Sequence, residues 1–198
     1  MAPKPLDPRK LEAVPDWDEV FGFAGTLELE IGSGKGGFAA GYGAKWPRRR
    51  LVALEARHTY AEETRKRVEK MKAENVLVLQ GDAKAVCHKL FAPASLDAIH
   101  LYFPDPWWKR RHFKRRIVEP GFAKVLLGLL KTGAALHVRT DVEERADDML
   151  KVLLAAGFMN PAGNGFSPYD PEEVPTTRER RYLAAGQPVW RLHMTRPA

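Results

Sequence analysis

Short β-rich runs alternate with amphipathic segments along most of the chain, and this alternation restricts the possible folds more than any other feature. Such an order is typical of a mostly parallel sheet with helices on both faces. Seven runs are predicted to be strands: residues 27–31, 51–54, 76–79, 98–103, 135–139, 182–185 and 189–195. The last two flank Gly186 and predict a closing antiparallel hairpin. The sequence therefore predicts an α/β fold with a seven-stranded sheet.

Two of the amphipathic segments carry recognisable helix signals. Thr59 and Glu62 have the spacing of a capping box and precede apolar residues that share one helical face. A second helix is predicted from Glu143, ending at Gly157 in the position where glycine commonly terminates helices. Residues 160–175 are rich in proline and other turn formers, which predicts a loop. We expect the two helices to cover the sheet.

Size and charge limit the classes of function. A chain of 198 residues suits one α/β domain, and a formal net charge of +7 favours an anionic partner. No uninterrupted apolar stretch approaches the roughly 20 residues of a membrane helix, so no membrane partner is expected. The lone Cys87 cannot form an internal disulfide, and the histidines lack metal-site spacing, so no metal is expected. The sequence leaves the oligomeric state open.

The first residues contain several prolines and lack the apolar core of a secretion signal, which predicts a cytoplasmic protein. We expect residues 1–20 to form a mobile arm and residues 21–198 to form a single domain.

A glycine-rich turn follows the first predicted strand. Residues 30–37 read Glu-Ile-Gly-Ser-Gly-Lys-Gly-Gly, a composition that lets backbone approach a nucleotide-like ligand closely. Glu55 follows Gly34 by about 20 residues, the spacing at which an acidic side chain meets a ribose. The turn fits NAD or S-adenosylmethionine. The alternative is a turn that serves only tight packing of strand against helix.

Each of the first five predicted strands ends at or next to an acid: Glu30, Glu55, Asp82, Asp105 and Asp141. Because the carboxyl ends of parallel strands meet at one edge, these acids should line a single crevice. Carboxylates suit the sulfonium and ammonium groups of S-adenosylmethionine and repel the pyrophosphate of NAD. No tyrosine is followed four residues later by lysine, which further disfavours a short-chain dehydrogenase. Asp82 and Asp141 could equally well only cap the helices that follow them.

The segment after the fourth predicted strand joins one acid to many bases. Pro104 and Pro106 flank Asp105 and favour extended backbone there, which fixes the direction of its carboxylate. Six of the eight residues 109–116 are Lys or Arg, and two tryptophans precede them. Such a run usually forms a solvated face, but one that starts beside a cofactor site predicts contact with nucleic acid. The predicted phosphate contacts are Arg110, Arg111, Lys114, Arg115 and Arg116.

This segment resembles the hallmark of the bacterial tRNA (guanine-N7-)-methyltransferase family, Phe-Pro-Asp-Pro-Trp followed by basic residues. Further family motifs match at Glu30-Ile31-Gly32, Glu55, Gly81-Asp82 and Arg139-Thr140-Asp141, and the resemblance extends over about residues 27–192. The family motif Thr-Lys-Phe-Glu-x-Arg is matched at Thr176, Glu179 and Arg181. Two positions depart from the family pattern: Trp108 replaces a common Pro, and Arg178 replaces the usual Phe.

The resemblance implies a Rossmann-like class I methyltransferase fold and methyl transfer from S-adenosylmethionine to guanosine 46 in the variable loop of tRNA. It implies cofactor contacts from Glu30, Glu55, Asp82 and Asp105, to which the glycine-rich turn adds Gly32 and Gly34. The implied substrate contacts are Lys109, Asp141, Thr176, Thr177, Arg178 and Glu179. Asp105 is also the implied catalytic residue.

Guanine N7 carries an in-plane lone pair, so we expect positioning to dominate catalysis over proton removal. Asp105 would favour the cationic ring that forms, and Asp141 or Glu179 would accept hydrogen bonds from guanine N1 and N2. One alternative is an exocyclic-amine methyltransferase, although that class places a second Pro after the Asp-Pro pair, where this chain has Trp107. The other alternative is a non-catalytic basic RNA-binding protein, which has no need of the acids.

Overall fold

The computed structural model describes residues 2–108 and 110–198, and its centre is a six-stranded sheet in the order β3-β2-β1-β4-β5-β6. The strands are β1 (Leu27–Ile31), β2 (Arg50–Glu55), β3 (Val76–Gln80), β4 (Leu96–Tyr102), β5 (Leu130–Thr140) and β6 (Trp190–Thr195). The first five strands are parallel, and β6 pairs antiparallel with β5. The predicted α/β fold with a mostly parallel sheet and an antiparallel C-terminal strand is confirmed.

Seven α-helices surround the sheet in the described part of the chain. They are α1 (Trp17–Phe21), α2 (Gly37–Lys45), α3 (His58–Lys70), α4 (Ala83–Leu90), α5 (Pro120–Leu129), α6 (Glu143–Ala156) and α7 (Thr177–Ala184). Two 3₁₀ helices, Pro8–Lys10 and Arg110–Arg115, lie outside this set, and we call the second one the basic 3₁₀ helix. The predicted helix from Glu143 is confirmed, with Gly157 as its left-handed C-terminal residue.

The two faces of the sheet differ in character because strand side chains alternate between them. One face carries an apolar set, including Leu29, Leu54 and Ile99, which packs against α1, α4, α5 and α6. The other face packs against α2 and α3 and carries buried polar side chains such as His100 and Arg139. The larger apolar core is therefore on the first face, and ion pairs are buried on the second.

The seventh strand was predicted wrongly. Residues 182–185 do not pair in the sheet, since most of them belong to α7. Thr176 accepts a hydrogen bond from Glu179 N at 3.0 Å, and the Glu179 side chain accepts one from Thr176 N at 3.4 Å. This capping box starts a helix made of good helix formers, which outweighs the hairpin signal at Gly186.

The capping box predicted at Thr59 is also wrong. The helix α3 begins at His58, so Thr59 lies inside its first turn, and the N-cap residue Arg57 makes no side-chain cap. The backbone N–H of Arg57 instead donates to Glu55 Oε1 at 2.9 Å. The start of α3 is therefore held in place by Glu55, the acid at the end of β2.

The N-terminal segment contacts the first face of the sheet. Trp17 is buried, its ring stacks on that of Phe91 at 5.3 Å, and its Nε1 donates to Leu90 O at 3.1 Å. The mobility of residues 1–20 stays a prediction. Within the described ranges, no helix has the length and apolarity needed to cross a membrane, and no group of three or more His, Cys, Asp or Glu side chains is arranged to hold a metal.

Candidate active site

A cavity of about 1290 Å³ opens at the carboxyl edge of the parallel strands. Four of the five strand-end acids line it: Glu30, Glu55, Asp82 and Asp105. The glycine-rich turn, the basic 3₁₀ helix and α7 complete its walls. The structure thus brings these acids together in one cavity, as the position of parallel strand ends requires.

Glu30 is the most deeply buried of these acids. Its side chain is almost inaccessible, and Oε2 has no hydrogen-bond partner in the described part of the chain. Burial, together with the nearby charge of Glu55, raises the pKa of Glu30 to about 8. An unpartnered buried carboxyl oxygen is uncommon in native proteins and fits a site that a ligand with a cation or a donor completes.

Glu55 organises the turn beside it. Its Oε2 accepts a hydrogen bond from Gly34 N at 2.8 Å, while Oε1 accepts the bond from Arg57 N. The carboxylate at the end of β2 thereby holds the glycine-rich turn after β1. Each oxygen keeps a second lone pair that can accept a ligand hydroxyl.

The glycine-rich turn serves both a ligand and packing. Gly32 and Gly34 have positive φ angles of 79° and 54°, and a Cβ added at either one would meet no atom within 4 Å. Open space beside a left-handed backbone lets a ligand approach the main chain. At Gly37, in contrast, a Cβ would lie 3.0 Å from Thr177 N, so this glycine lets α7 pack against α2.

Asp82 and Asp105 are both exposed in the cavity, and they follow β3 and β4, which β2 and β1 separate in the sheet. Asp82 caps α4 by accepting a hydrogen bond from Lys84 N at 2.9 Å, so the capping alternative holds for it even though it also lines the cavity. Asp105 Oδ2 lies 3.5 Å from Arg57 Nη2. The free protein therefore has a cation beside the predicted catalytic acid.

The backbone around Asp105 is strained on both sides. Phe103 and Trp107 have φ angles of 52° and 44°, a left-handed conformation that side-chain-bearing residues rarely adopt. The two prolines lie between these residues and limit the backbone further. Such strain is concentrated at functional sites, and here it fixes the position of the Asp105 carboxylate relative to the cavity.

Asp141, at the end of β5, is held by two side chains of α7. Its Oδ2 accepts hydrogen bonds from Arg178 Nη2 at 2.6 Å and from Tyr182 Oη at 2.5 Å. Asp141 is not among the described residues that line the cavity, whereas Arg178 and Tyr182 are. The Arg178 guanidinium also lies 5.4 Å from the centre of the Phe103 ring. Asp141 thus positions side chains that face the cavity.

Glu179 anchors α7 to the sheet. Only 1% exposed, it binds Arg139 Nη1 through Oε2 at 2.5 Å and Arg191 Nη2 through Oε1 at 2.6 Å. Within the described chain it lies outside the cavity lining. Both carboxylate oxygens are engaged with buried arginines, which does not favour the predicted hydrogen bond to guanine. Its neighbours Thr176 and Thr177 do line the cavity.

The basic 3₁₀ helix borders the cavity on the first face of the sheet. Lys114 and Arg115 line the cavity, and the Arg115 guanidinium lies 5.0 Å from the centre of the Trp107 ring. Lys109 and the side chain of Arg110 lie outside the described part of the protein. Two of the predicted phosphate contacts are therefore placed at the cavity itself.

Two further predicted phosphate contacts, Arg111 and Arg116, are not among the described residues that line the cavity. Arg116 stacks on Phe113 at 3.5 Å and pairs with Asp148 of α6 at 3.4 Å, so it fastens the segment to the domain. Arg111 is exposed, and Trp108, three residues earlier in the sequence, is 59% exposed. An exposed aromatic among cations is typical of a nucleic-acid surface.

Two cavity-lining arginines, Arg57 and Arg181, were assigned no role from the sequence, although Arg181 matches the last position of the family motif. Arg57 lies just beyond a strand end, and nothing in its local pattern distinguishes it. Arg181 could have been found: once Thr176 and Glu179 are recognised as a capping box, helical periodicity puts Arg178, Arg181 and Tyr182 on one face.

The doubly wound sheet with acids at its carboxyl edge has the architecture of class I methyltransferases. The solved 16S rRNA methyltransferase KamB superposes with a TM-score of 0.66 at 18% identity, covering 100% of both chains, which establishes the fold. A family model described as "Putative methyltransferase" matches residues 25–192. The tRNA (guanine-N(7)-)-methyltransferase of Myxococcus xanthus is 53% identical over 94% of this chain and 91% of its own length. The relative of the same name from Anaeromyxobacter dehalogenans is 50% identical over 93% of both chains.

The chain belongs to the tRNA (guanine-N(7)-)-methyltransferase family. The resemblance found in the sequence is confirmed, and with it the prediction of a methyltransferase that uses S-adenosylmethionine.

Proposed function

We propose that this protein transfers a methyl group from S-adenosylmethionine to N7 of guanosine 46 in the variable loop of tRNA. The observation that carries the proposal is the single cavity in which four strand-end acids meet, with a buried Glu30 oxygen that lacks a partner. Basic side chains border the same cavity, as a polyanionic substrate requires. The family relatives bear the name of this activity. Because its proposed substrate is tRNA, we also propose that the protein is cytoplasmic.

The donor set fits S-adenosylmethionine better than a dinucleotide. Glu30 offers a carboxyl group to a cationic centre, Glu55 offers acceptors to ribose hydroxyls, and Gly32 and Gly34 leave space along the backbone. Asp82 adds an exposed acceptor to the cavity lining. When bound, the cofactor supplies an electrophilic methyl group on a sulfonium. A pyrophosphate would instead meet several carboxylates and be repelled.

The protein's part in the reaction is positioning and electrostatic stabilisation. Guanine N7 needs no strong base, because its lone pair lies in the ring plane and is free to attack. Asp105 is our proposed catalytic residue, since a fixed carboxylate beside the base stabilises the positive charge that develops on the ring. Holding the two reactants in line removes much of the entropic barrier to their meeting.

We assign the base-binding side of the cavity to α7. Thr176, Thr177 and Arg178 line the cavity there, and Asp141 acts on the substrate through the Arg178 side chain that it orients. The planar guanidinium of Arg178 can stack on a purine, a role that fits the residue standing where the family usually has Phe.

Phosphate contacts on the other side are assigned to the basic 3₁₀ helix. Lys114 and Arg115 are next to the cavity, and Arg111 is exposed in the same helix. Lys109 and Arg110 belong to the same run of the sequence and extend this assignment. These contacts would position the RNA without reading its sequence.

The test is methylation of unmodified tRNA with labelled S-adenosylmethionine, followed by cleavage chemistry selective for 7-methylguanosine. The proposal predicts label in the tRNA and strand cleavage at position 46. Label without cleavage would support the exocyclic-amine alternative. Tight tRNA binding without any label would support a non-catalytic RNA-binding protein.

A further inference from the structure

Among the residues whose side chains the structure describes, seven cationic ones line the cavity, and most of them already have a partner. Four are in ion pairs: Lys35 with Glu63 at 3.4 Å, Arg57 with Asp105 at 3.5 Å, Lys84 with Glu119 at 3.6 Å, and Arg178 with Asp141 at 2.6 Å. Arg115 stacks on Trp107. The remaining two, Lys114 and Arg181, make no side-chain hydrogen bond or ion pair within the described part of the chain.

These two unpaired cations lie on opposite faces of the sheet. Arg181 is in α7, which Glu179 ties to Arg139 and Arg191 on the second face. Lys114 is in the basic 3₁₀ helix. The end of that segment is fixed to the first face, because Arg116 pairs with Asp148 of α6 and its carbonyl accepts a hydrogen bond from Lys84 of α4. The cavity with its acids lies between them.

The helix geometry of α7 separates Arg181 from its neighbour Arg180. Arg181 follows Arg178 by one helical turn and shares its face toward the cavity. Arg180 is also exposed, but it lies outside the cavity lining of the described chain, and its Nη2 is 3.9 Å from where a Cβ at Gly41 of α2 would be. Arg180 and Arg181 thus carry the same charge but face different surroundings. A substitution of Arg180 can therefore serve as the control for one of Arg181.

An unpaired guanidinium at this place suits a phosphate. Its planar set of donors matches phosphate oxygens, while the acids inside the cavity would repel a free anion that moved deeper. The backbone of a polynucleotide carries a phosphate at every nucleotide, so one strand can contact cations on both sides of the cavity.

We propose that Arg181 binds a backbone phosphate of the RNA on the α7 side of the cavity, opposite Lys114, so that the strand is held on both sides of the target base. This inference rests on the proposed function, since it takes RNA as the substrate. It places a second phosphate-binding position on α7, in addition to the run of basic residues at 109–116.

The test compares the variants Arg181→Gln, Lys114→Gln and Arg180→Gln, each of which removes one positive charge. We expect Arg181→Gln to weaken tRNA affinity about tenfold, as the loss of one charge-assisted hydrogen bond does. The slope of log affinity against log salt should become shallower by about 0.7 to 0.9, the value for one phosphate contact. Lys114→Gln should behave in the same way, and Arg180→Gln should match the wild type in both measurements.

The proposal is overturned if Arg181→Gln and Arg180→Gln give the same affinity and the same salt slope. Arg181→Lys keeps the charge and should retain the slope, and calorimetric binding of S-adenosylmethionine checks that each variant is folded. A wild-type protein that methylates no tRNA would refute the proposed function. An active wild type whose salt slope is unaffected by Arg181→Gln would refute only the role of Arg181.

Discussion

The carboxyl group of Glu30 lies buried beside that of Glu55, and burial with that neighbouring charge raises its pKa to about 8. At neutral pH the free protein therefore keeps Glu30 mostly protonated. A ligand that brings a positive charge into the cavity favours the ionised form, so its binding releases a proton. The same pKa makes Glu30 favour the folded state most below pH 4.5, a contribution that is lost as pH rises through about 8.

The affinity for S-adenosylmethionine should rise with pH, because the ionised form of Glu30 binds the cationic ligand better. We expect an increase of about tenfold between pH 6 and pH 8, with proton release that calorimetry in buffers of different ionisation enthalpy can count. Glu30→Gln should bind more weakly and lose this pH dependence. An affinity that stays constant over this range in the wild type would show that Glu30 does not face the cationic part of the ligand.

Asp105→Asn keeps the shape of the side chain and removes its charge. We expect the single-turnover rate of methyl transfer, with both substrates saturating, to fall about a hundredfold, the size typical of losing one preorganised electrostatic group. Asp147→Asn, an exposed change on α6 outside the cavity lining of the described chain, is the matched control and should leave the rate unchanged. If the Asp105→Asn variant folds, binds the cofactor and still transfers methyl at a near-normal rate, Asp105 is not a catalytic residue.

Asp141→Asn should release the Arg178 side chain from its charged partner. We expect the KM for tRNA to rise about tenfold, the loss of one charge-assisted hydrogen bond, with little change in cofactor affinity. Tyr182→Phe, which removes the other donor to Asp141, should show a smaller effect in the same direction. A fall in kcat at unchanged KM would contradict this positioning role and place Asp141 at the reacting base.

Glu179→Gln should destabilise the protein by about 3 kcal/mol, because it leaves the buried Arg139 and Arg191 without their carboxylate. Urea unfolding measures the loss. Glu172→Gln breaks an ion pair with Lys45 on a side chain that is 84% exposed, and it should cost less than about 0.5 kcal/mol. Equal stability of the two variants would mean that Glu179 is not an anchor of α7.

Much of the cavity could be predicted because it depends mainly on the strands running parallel. The acids at residues 30, 55, 82 and 105 follow four parallel strands, and parallel strand ends meet at one edge whatever the helices do. The glycine-rich turn was found for the same reason, since its position after β1 fixes where it lies.

The structure and the contacts of α7 could be predicted only in part. The Thr176 and Glu179 spacing is a local helix signal, and giving it more weight than the Gly186 turn would have removed the seventh strand. The partners of Glu179, in contrast, come from β5 and β6, and no local pattern reveals a pairing between distant segments. The ion pair between Asp141 and Arg178 likewise joins distant segments and is visible only in three dimensions.

Methylation at guanine N7 is tested by comparing methyl transfer to tRNA carrying 7-deazaguanosine at position 46 with transfer to the same tRNA carrying guanosine. This replacement turns N7 into a C–H group and leaves the exocyclic amine in place. We expect incorporation of label into the guanosine tRNA and none at position 46 of the deaza tRNA, while both bind the protein equally well. Equal incorporation at position 46 in the two tRNAs would contradict methylation at N7.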